Sequence, residues 1–266
     1  MRSEISVVPI SSPDEYPAAV GRALEEVGAA RALAGFDRVI VKPNMVNNSP
    51  PQVTTDVRCV LAVLEHLVER LDAAIVVAEG SGEGRTLDNL RLNGYEEVTK
   101  RFGVELVDLD ALPVKRYEDR RAGVYREIHL PGILEGAGLV SVPPAKDHTI
   151  TRVTLGLKNM VGCLPAKHYS GYWSYKKSRI HAVDEDQAVA DLMLYVRPHV
   201  TVIDAMEGLA GGHLSGRRPD PPIGKIIAGT DVLAADREAA RLLGHDPDGI
   251  RHLVLAAKHG QDPATG

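Results

Sequence analysis

Short apolar runs rich in Val and Ile alternate along the first half of the chain with longer stretches whose apolar residues recur at helical spacing. The predicted strands are 4–10, 37–44, 73–82 and 104–110, and the predicted helices are 15–33, 54–71 and 86–103. This βαβαβαβ order predicts an α/β fold with helices on both faces of a mostly parallel sheet, the doubly wound type.

The second half of the chain is less regular but continues the alternation. The stretch 124–134 predicts an added, antiparallel strand, which makes the sheet mixed, and 137–148 predicts a buried strand that ends in a Pro-Pro turn. Further strands are predicted at 199–205 and 223–229, and further helices at 154–164, 188–196, 231–244 and 250–260. Since no repeat or linker interrupts the pattern, we predict a single domain over 1–260 and a flexible tail at 261–266.

Composition restricts the class of partner. The chain has 266 residues, 44% of them apolar, and a net charge of -5 with acidic and basic residues interspersed. It therefore has no basic surface suited to nucleic acid or to an anionic membrane, and a small-molecule substrate is the expected partner. An assembly of identical chains is left open.

The cysteine content and hydropathy predict a cytoplasmic protein. Cys59 and Cys163 are too few for a disulfide framework, a CxxC zinc site or a four-cysteine iron-sulfur cluster. The start of the chain lacks the apolar core of a signal peptide, and no window approaches about 18 consecutive apolar residues. We therefore expect neither secretion nor a membrane span.

Polar side chains stand at the carboxyl ends of four predicted strands. In open α/β sheets ligands bind in the crevice beyond these ends, so the side chains are candidates for one shared site. They are Lys42 and Asn44, Glu79 and Ser81, Lys146 and His148, and Asp204 and Glu207.

The turn from Gly80 to Gly84 follows the third predicted strand with glycines at alternate positions. The backbone N–H groups of Gly80, Ser81 and Gly82 are candidates for holding an anion near a helix start, and a simple tight turn is the equal alternative. The motif is neither a dinucleotide fingerprint nor a Walker loop, so a nucleotide site is not expected.

Two residues at the third of these strand ends have the chemistry of a catalytic site. Lys146 is a candidate base, Schiff-base amine or anion clamp, and His148 a candidate acid/base group or metal ligand. A divalent metal is left open as a cofactor, because histidines and carboxylates are present without any short ligand spacing. The candidate ligands are His148, His168, His181, Asp204 and Glu207.

The segment 154–168, TLGLKNMVGCLPAKH, combines an apolar helical face with polar residues. Its buried face is predicted to comprise Leu157, Met160, Val161 and Leu164. That placement leaves Lys158 and Asn159 to face the crevice as a charge stabiliser and an anion-binding amide. His168, at its end, is a candidate acid/base group.

Two loops are candidates for covering the site. The loop from Tyr169 to Arg179 concentrates aromatic and basic residues and is predicted to close over the crevice and exclude water. The glycine-rich segment 207–222 offers Arg217 as a grip for a carboxylate or phosphate, with a mobile surface loop as the equal alternative.

These motifs, in their order along the chain, resemble the family catalogued as domain of unknown function 362. The resemblance runs from about Val39 to Gly260 and depends most on LGLKNMVGCLPAKH and on VIDAMEGLAG downstream of it. Many relatives carry cysteine-rich ferredoxin-like segments, which this chain lacks, so the resemblance does not imply electron transfer here. A remoter similarity to the nickel-pincer lactate racemase group implies lysine and histidine chemistry on a small hydroxy acid.

The sequence as a whole favours a soluble enzyme that acts on a small anionic organic molecule. Removal of a proton next to a carbonyl, as in an isomerase or lyase, suits a mixture of bases and cations, because the cations stabilise the developing oxyanion. The alternative is a non-catalytic accessory protein that binds a metal or cofactor.

Overall fold

The computed structural model describes residues 4 to 260, and the predicted tail at 261–266 lies outside them. The strands are β1 Ile5–Pro9, β2 Arg38–Pro43, β3 Ala74–Glu79, β4 Glu105–Asp108, β5 Val114–Glu118, β6 Glu127–Pro131, β7 Gly138–Val142, β8 Pro144–His148, β9 Arg152–Thr154, β10 Val200–Leu209 and β11 Lys225–Gly229. The helices are α1 Tyr16–Val27, α2 Ala29–Leu33, α3 Val57–Val68, α4 Thr86–Leu92, α5 Glu96–Phe102, α6 Gly156–Asn159, α7 Ala166–Tyr169, α8 Glu185–Asp191, α9 Val232–Leu242 and α10 Arg251–Gly260.

Nine of these strands form one mixed sheet, and its central part is parallel. Seven of the nine lie in the order β1-β11-β10-β7-β2-β3-β4, while β8 pairs with β10 and β9 pairs with β8. The neighbouring pairs from β10 through β4 are all parallel. On the other side β11 runs antiparallel to both β10 and β1. The prediction of an α/β fold with a mostly parallel, mixed sheet is confirmed.

Alternation along the strands buries both faces of the sheet. Val39 and Val41 of β2 pack into one apolar cluster with α1 and α3, whereas Ile40 packs into a second cluster with α8. Successive side chains of a strand point to opposite faces, so the purely apolar run of β2 requires helices on both sides. A third cluster joins α9 to β10 and β11.

The sheet reverses its direction of growth between β2 and β7. From β2 the chain proceeds outward through β3 to the edge strand β4, and it later returns to place β7 on the other side of β2. Pro143 then separates β7 from β8, and β10 pairs first with β7 and then with β8. The crevice at such a reversal is where α/β sheets bind ligands.

Several elements differ from the predictions. The added strand, β6, is antiparallel but pairs with β5 in a separate two-stranded sheet. The predicted helix 15–33 is split at Gly28, which adopts a left-handed conformation with φ of 71°. The segment after Leu155 forms only the four-residue α6 and a 3₁₀ turn, and α7 follows Pro165.

Candidate functional site

A cavity of about 380 Å³ opens at the reversal between β2 and β7. It lies beyond the carboxyl ends of β2 and β3, against β8 and α6, with the loop before Ser178 on its other side. Ten of the candidate site residues singled out from the sequence line it: Lys42, Asn44, Glu79, Gly80, Gly82, Lys146, His148, Lys158, Asn159 and His181. The strand-end rule thus brought most of the candidates together.

Five candidates lie elsewhere. Ser81 is buried behind the cavity wall, and His168 stacks on His129 of β6 with ring centroids 4.2 Å apart. Arg217 pairs through its backbone with Ala210. Asp204 and Glu207 line a separate cavity of about 30 Å³, where Tyr16 Oη donates to Asp204 Oδ2 at 2.7 Å.

The proposed metal ligands therefore do not meet at one point. His148 and His181 line the main cavity, whereas Asp204, Glu207 and His168 lie away from it. Among residues 4 to 260, no three His, Cys, Asp or Glu side chains are grouped so that they could hold a metal ion.

Lys42 forms a buried ion pair across the ends of β2 and β3. Its Nζ lies 2.8 Å from Glu79 Oε2 and donates to Asn159 Oδ1 at 3.2 Å. Glu79 also accepts from the backbone N–H groups of Met45 and Gly80. Glu79 therefore compensates the charge of Lys42, and Asn159 connects β2 to α6.

Lys146 is buried without a carboxylate partner among the described residues. Its Nζ donates to Asn44 Oδ1 at 2.8 Å and to the carbonyl of Val53 at 2.6 Å. Burial, with a smaller contribution from the positive charge of Lys158, lowers the pKa of Lys146 to about 7. An amine with this pKa is available both as a cation and as a base near neutral pH.

Glu185 of α8 joins two cavity residues. Its Oε1 lies 2.6 Å from Lys158 Nζ, and its Oε2 lies 2.6 Å from His181 Nδ1. Burial by itself would raise the pKa of Glu185, but the hydrogen bond from His181 and the charge of Lys158 lower it to about 2. Glu185 is thus a fixed anion that orients both side chains.

His148 is held as a neutral imidazole. Its Nδ1 accepts from the backbone N–H groups of Ile150 and Thr151 at 3.2 and 3.3 Å, so the proton of the ring is assigned to Nε2. Its ring stacks on His213 at 4.1 Å. Burial, followed by the charge of Lys158, keeps the pKa of His148 far below its ordinary value, and burial lowers the pKa of His213 to about 4.

Lys158 and Asn159 line the cavity, as the apolar spacing predicts, while Leu157, Met160 and Leu164 are buried in the core behind them. The prediction is wrong for Val161, which is only half-buried and lines the cavity as well. Asp236 of α9 fixes α6 from below by accepting the N–H groups of Gly156 and Leu157 at 2.7 and 2.9 Å. A Cβ at position 156 would lie 2.8 Å from Asp236 Oδ1, which explains the glycine. Burial raises the pKa of Asp236 to about 7.

The aromatic and basic loop lies against the cavity. Trp173, Tyr175, Lys176 and Lys177 line it, and Trp173 stacks on His181. The loop is tied to both neighbouring strand ends: Lys176 N donates to the carbonyl of Gly82 at 2.8 Å, and Lys177 Nζ lies 2.7 Å from Asp110 Oδ1.

The candidates from the sequence do not include Asp110 or Glu185 as members of this arrangement. They also do not include Asp236 as the residue that supports α6. Asp110 directly follows β4, so the strand-end rule applied to that strand would have found it. Glu185 is four positions from His181, a helical spacing, but 27 positions from Lys158, and Asp236 is 80 positions from Gly156. No local signal indicates the two distant partners.

The fold and cavity define an α/β protein with a ligand-type pocket at the point where its sheet reverses. The chain belongs to the family described as Domain of unknown function (DUF362), whose model matches residues 39–241.

One curated relative is the "Thylakoid-associated protein sll1697" of Synechocystis sp., which is 22% identical over 233 residues, covering 86% of this chain and 70% of the relative. No helix within residues 4 to 260 of the present chain has the length and apolar character needed to cross a membrane.

Solved structures are similar only at a distance. A crystal structure of a protein from Thermotoga maritima is 11% identical with a TM-score of 0.40, and the match covers 88% of this chain but 59% of that one. LysN, an alpha-aminoadipate aminotransferase from Thermus thermophilus, is 11% identical with a TM-score of 0.24, over 98% of this chain and 50% of that one. The present chain thus spans 59% of the first and half of the second.

Proposed function

We propose that the protein is an enzyme that binds a small organic anion in the 380 Å³ cavity and removes a proton next to a carbonyl group of that molecule, as an isomerase or lyase does. The observation that carries the proposal is Lys146, an amine buried in the cavity wall without a carboxylate partner among the described residues. Neutral amine at this position can accept the proton, and the protonated form can attract the anion.

The proton transfer has a defined course. The Nζ lone pair of Lys146 takes the proton, and the electrons of the broken C–H bond pass to the carbonyl oxygen, which becomes an enolate. The Nε2–H of His148 and the ammonium of Lys158 are the donors for that oxygen. A neutral imidazole suits this role, because its N–H donates a hydrogen bond to the enolate oxygen and does not readily give up its proton.

An isomerase or lyase needs a second group that returns a proton. His181 suits this task, because Glu185 binds its Nδ1 and leaves Nε2 as the remaining ring nitrogen. Trp173 stacks on the ring and limits its movement. Lys146 and His181 would thus divide the work of base and acid between β8 and the loop.

The test is hydrogen exchange into a panel of small oxo acids in D₂O, followed by NMR. We expect exchange with at least one acid, at a rate that increases with pH through about 7 because Lys146 must be deprotonated. K146M is expected to reduce the rate about 10² to 10⁴-fold. K115M, which removes a lysine exposed on β5, is the matched control and should exchange like the wild type.

Equal rates in the wild type and K146M would reject the proposal. A tightly co-purified ligand without any exchange would favour the accessory-protein alternative instead. Repeating the assay with EDTA and with added divalent ions tests metal assistance, which the sequence left open. The buried free thiols of Cys59 and Cys163 support a reducing, cytoplasmic location as part of the proposal.

A further inference from the structure

The cavity has a charged floor and an apolar mouth. The floor residues Lys42, Lys146 and Asn159 are each 2% exposed. Five lining residues are exposed at the mouth: the apolar Ile150, Trp173 and Leu214, at 51%, 48% and 45%, and the polar Glu83 and Thr149. The walls therefore change from charged and polar at the floor to mainly apolar at the mouth.

The apolar mouth is assembled from three separate segments. Ile150 lies in the turn between β8 and β9, Trp173 in the loop before Ser178, and Leu214 between β10 and β11. Between this mouth and the floor, Val161 and Ile180 continue the apolar wall. Exposed apolar side chains are costly to hydrate, so their convergence on one opening indicates an apolar occupant.

We infer that the substrate is an amphiphilic carboxylate, with its acidic head on the lysine floor and an aliphatic or aromatic tail against Ile150, Trp173 and Leu214. The inference rests on the proposed function in taking this cavity as the substrate site. Continuity with the cationic floor favours a ligand tail over a membrane or a second copy of the chain, neither of which would reach Lys146.

The test measures binding of straight-chain carboxylates from acetate to decanoate by calorimetry. Each added methylene should tighten binding by up to about fourfold until the chain leaves the mouth. L214S and I150S should flatten this dependence on chain length, whereas K146M should weaken all the acids by a similar factor. L92S removes an apolar side chain that is 71% exposed and outside the cavity, and should behave like the wild type.

Three outcomes would overturn the inference. Affinity could be independent of chain length, L92S could match the mouth variants, or L214S could alter dimerisation or vesicle binding while the chain-length dependence stays intact. Binding needs no turnover, so the result is separate from the exchange assay. Exchange on short hydrophilic acids without a chain-length effect would reject only this inference, and a chain-length effect without exchange would reject only the proton transfer.

Discussion

At the scale of single residues, charge compensation distinguishes the lysines of the cavity from one another. Lys42 pairs with Glu79 and Lys158 pairs with Glu185, so each of these two buried ammonium groups has a buried carboxylate partner. Within residues 4 to 260, the Lys146 ammonium contacts only the amide oxygen of Asn44 and the backbone carbonyl of Val53. Burying an ammonium without a counter-charge destabilises the folded protein. An anion bound beside Lys146 would reduce this destabilisation.

This destabilisation predicts how stability changes with pH. Because the folded-state pKa of Lys146 is lowered to about 7 from 10.5, the unfolded chain binds more protons between these values. The penalty is complete below about pH 7 and decreases as the pH rises. Between pH 7 and 10, the free energy of unfolding of the wild type should therefore increase by a few kcal/mol relative to that of K146M. Urea unfolding of both proteins measures this difference. Parallel stability curves would contradict this.

Residue-scale errors in the sequence analysis have simple physical causes. Asp204 lies inside β10, and alternation places it on the face of Val202 and Met206, toward α1 and Tyr16. The sequence pattern locates β10, but it does not show on which face of the sheet the polar residues of this strand lie. His168 was grouped by proximity in sequence, whereas α7 turns its ring toward β6.

At the scale of elements, α6 is too short to be stable by itself, since isolated helices of four residues do not form in water. Its position depends on Asp236, which accepts its first two N–H groups, and on packing of Leu157 in the core. The apolar spacing correctly predicts that Lys158 and Asn159 face the cavity, but it wrongly places Val161 on the buried side. It did not predict the break into short turns, which follows from Gly162 and Pro165.

Replacing Asp236 should disturb both stability and binding. D236A leaves two buried N–H groups without acceptors, so we expect a loss of about 1 to 3 kcal/mol in the free energy of unfolding. Because α6 carries Lys158 and Asn159, carboxylate affinity should fall as well. D231A removes the N-cap of α9 and an exposed contact with Arg197, at a cost of about 1 kcal/mol, and should leave affinity unchanged. Equal affinities in the two variants would show that Asp236 does not position the site.

At the scale of the whole molecule, the order of the strands could not be read from the chain. The alternating pattern predicts the position and type of most elements. The cavity, however, exists because β7 returns to the side of β2 opposite β3. That return is decided by packing between residues far apart in sequence. The strand-end rule needs only that neighbouring parallel strands end at one edge, so it brings Lys42, Glu79 and Lys146 together without this knowledge. It fails for Asp204 and Glu207, which lie inside β10 and line the separate cavity.

The loop over the cavity depends on the far edge of the sheet. Asp110, next to β4, binds Lys176 and Lys177 and accepts the N–H of Ala166. We expect D110N to raise tryptic cleavage after Lys176 several-fold, because the loop loses its charged anchor, with a bound carboxylate restoring protection. Mass spectrometry of timed digests measures this. D248N, which breaks an exposed ion pair with Arg237, should digest like the wild type, and the same would be true of D110N if the anchor were unimportant.

The dispersal of the cavity along the chain has a consequence for biosynthesis. Its lining extends from Lys42 of β2 to Leu214, and β8, which carries Lys146, directly follows the central strand β7 beside β2. A nascent chain paused on the ribosome before β10 emerges would hold Lys42 and Glu79 but neither His213 nor Leu214. Ligand can therefore assist only a stage of folding that follows the synthesis of Leu214.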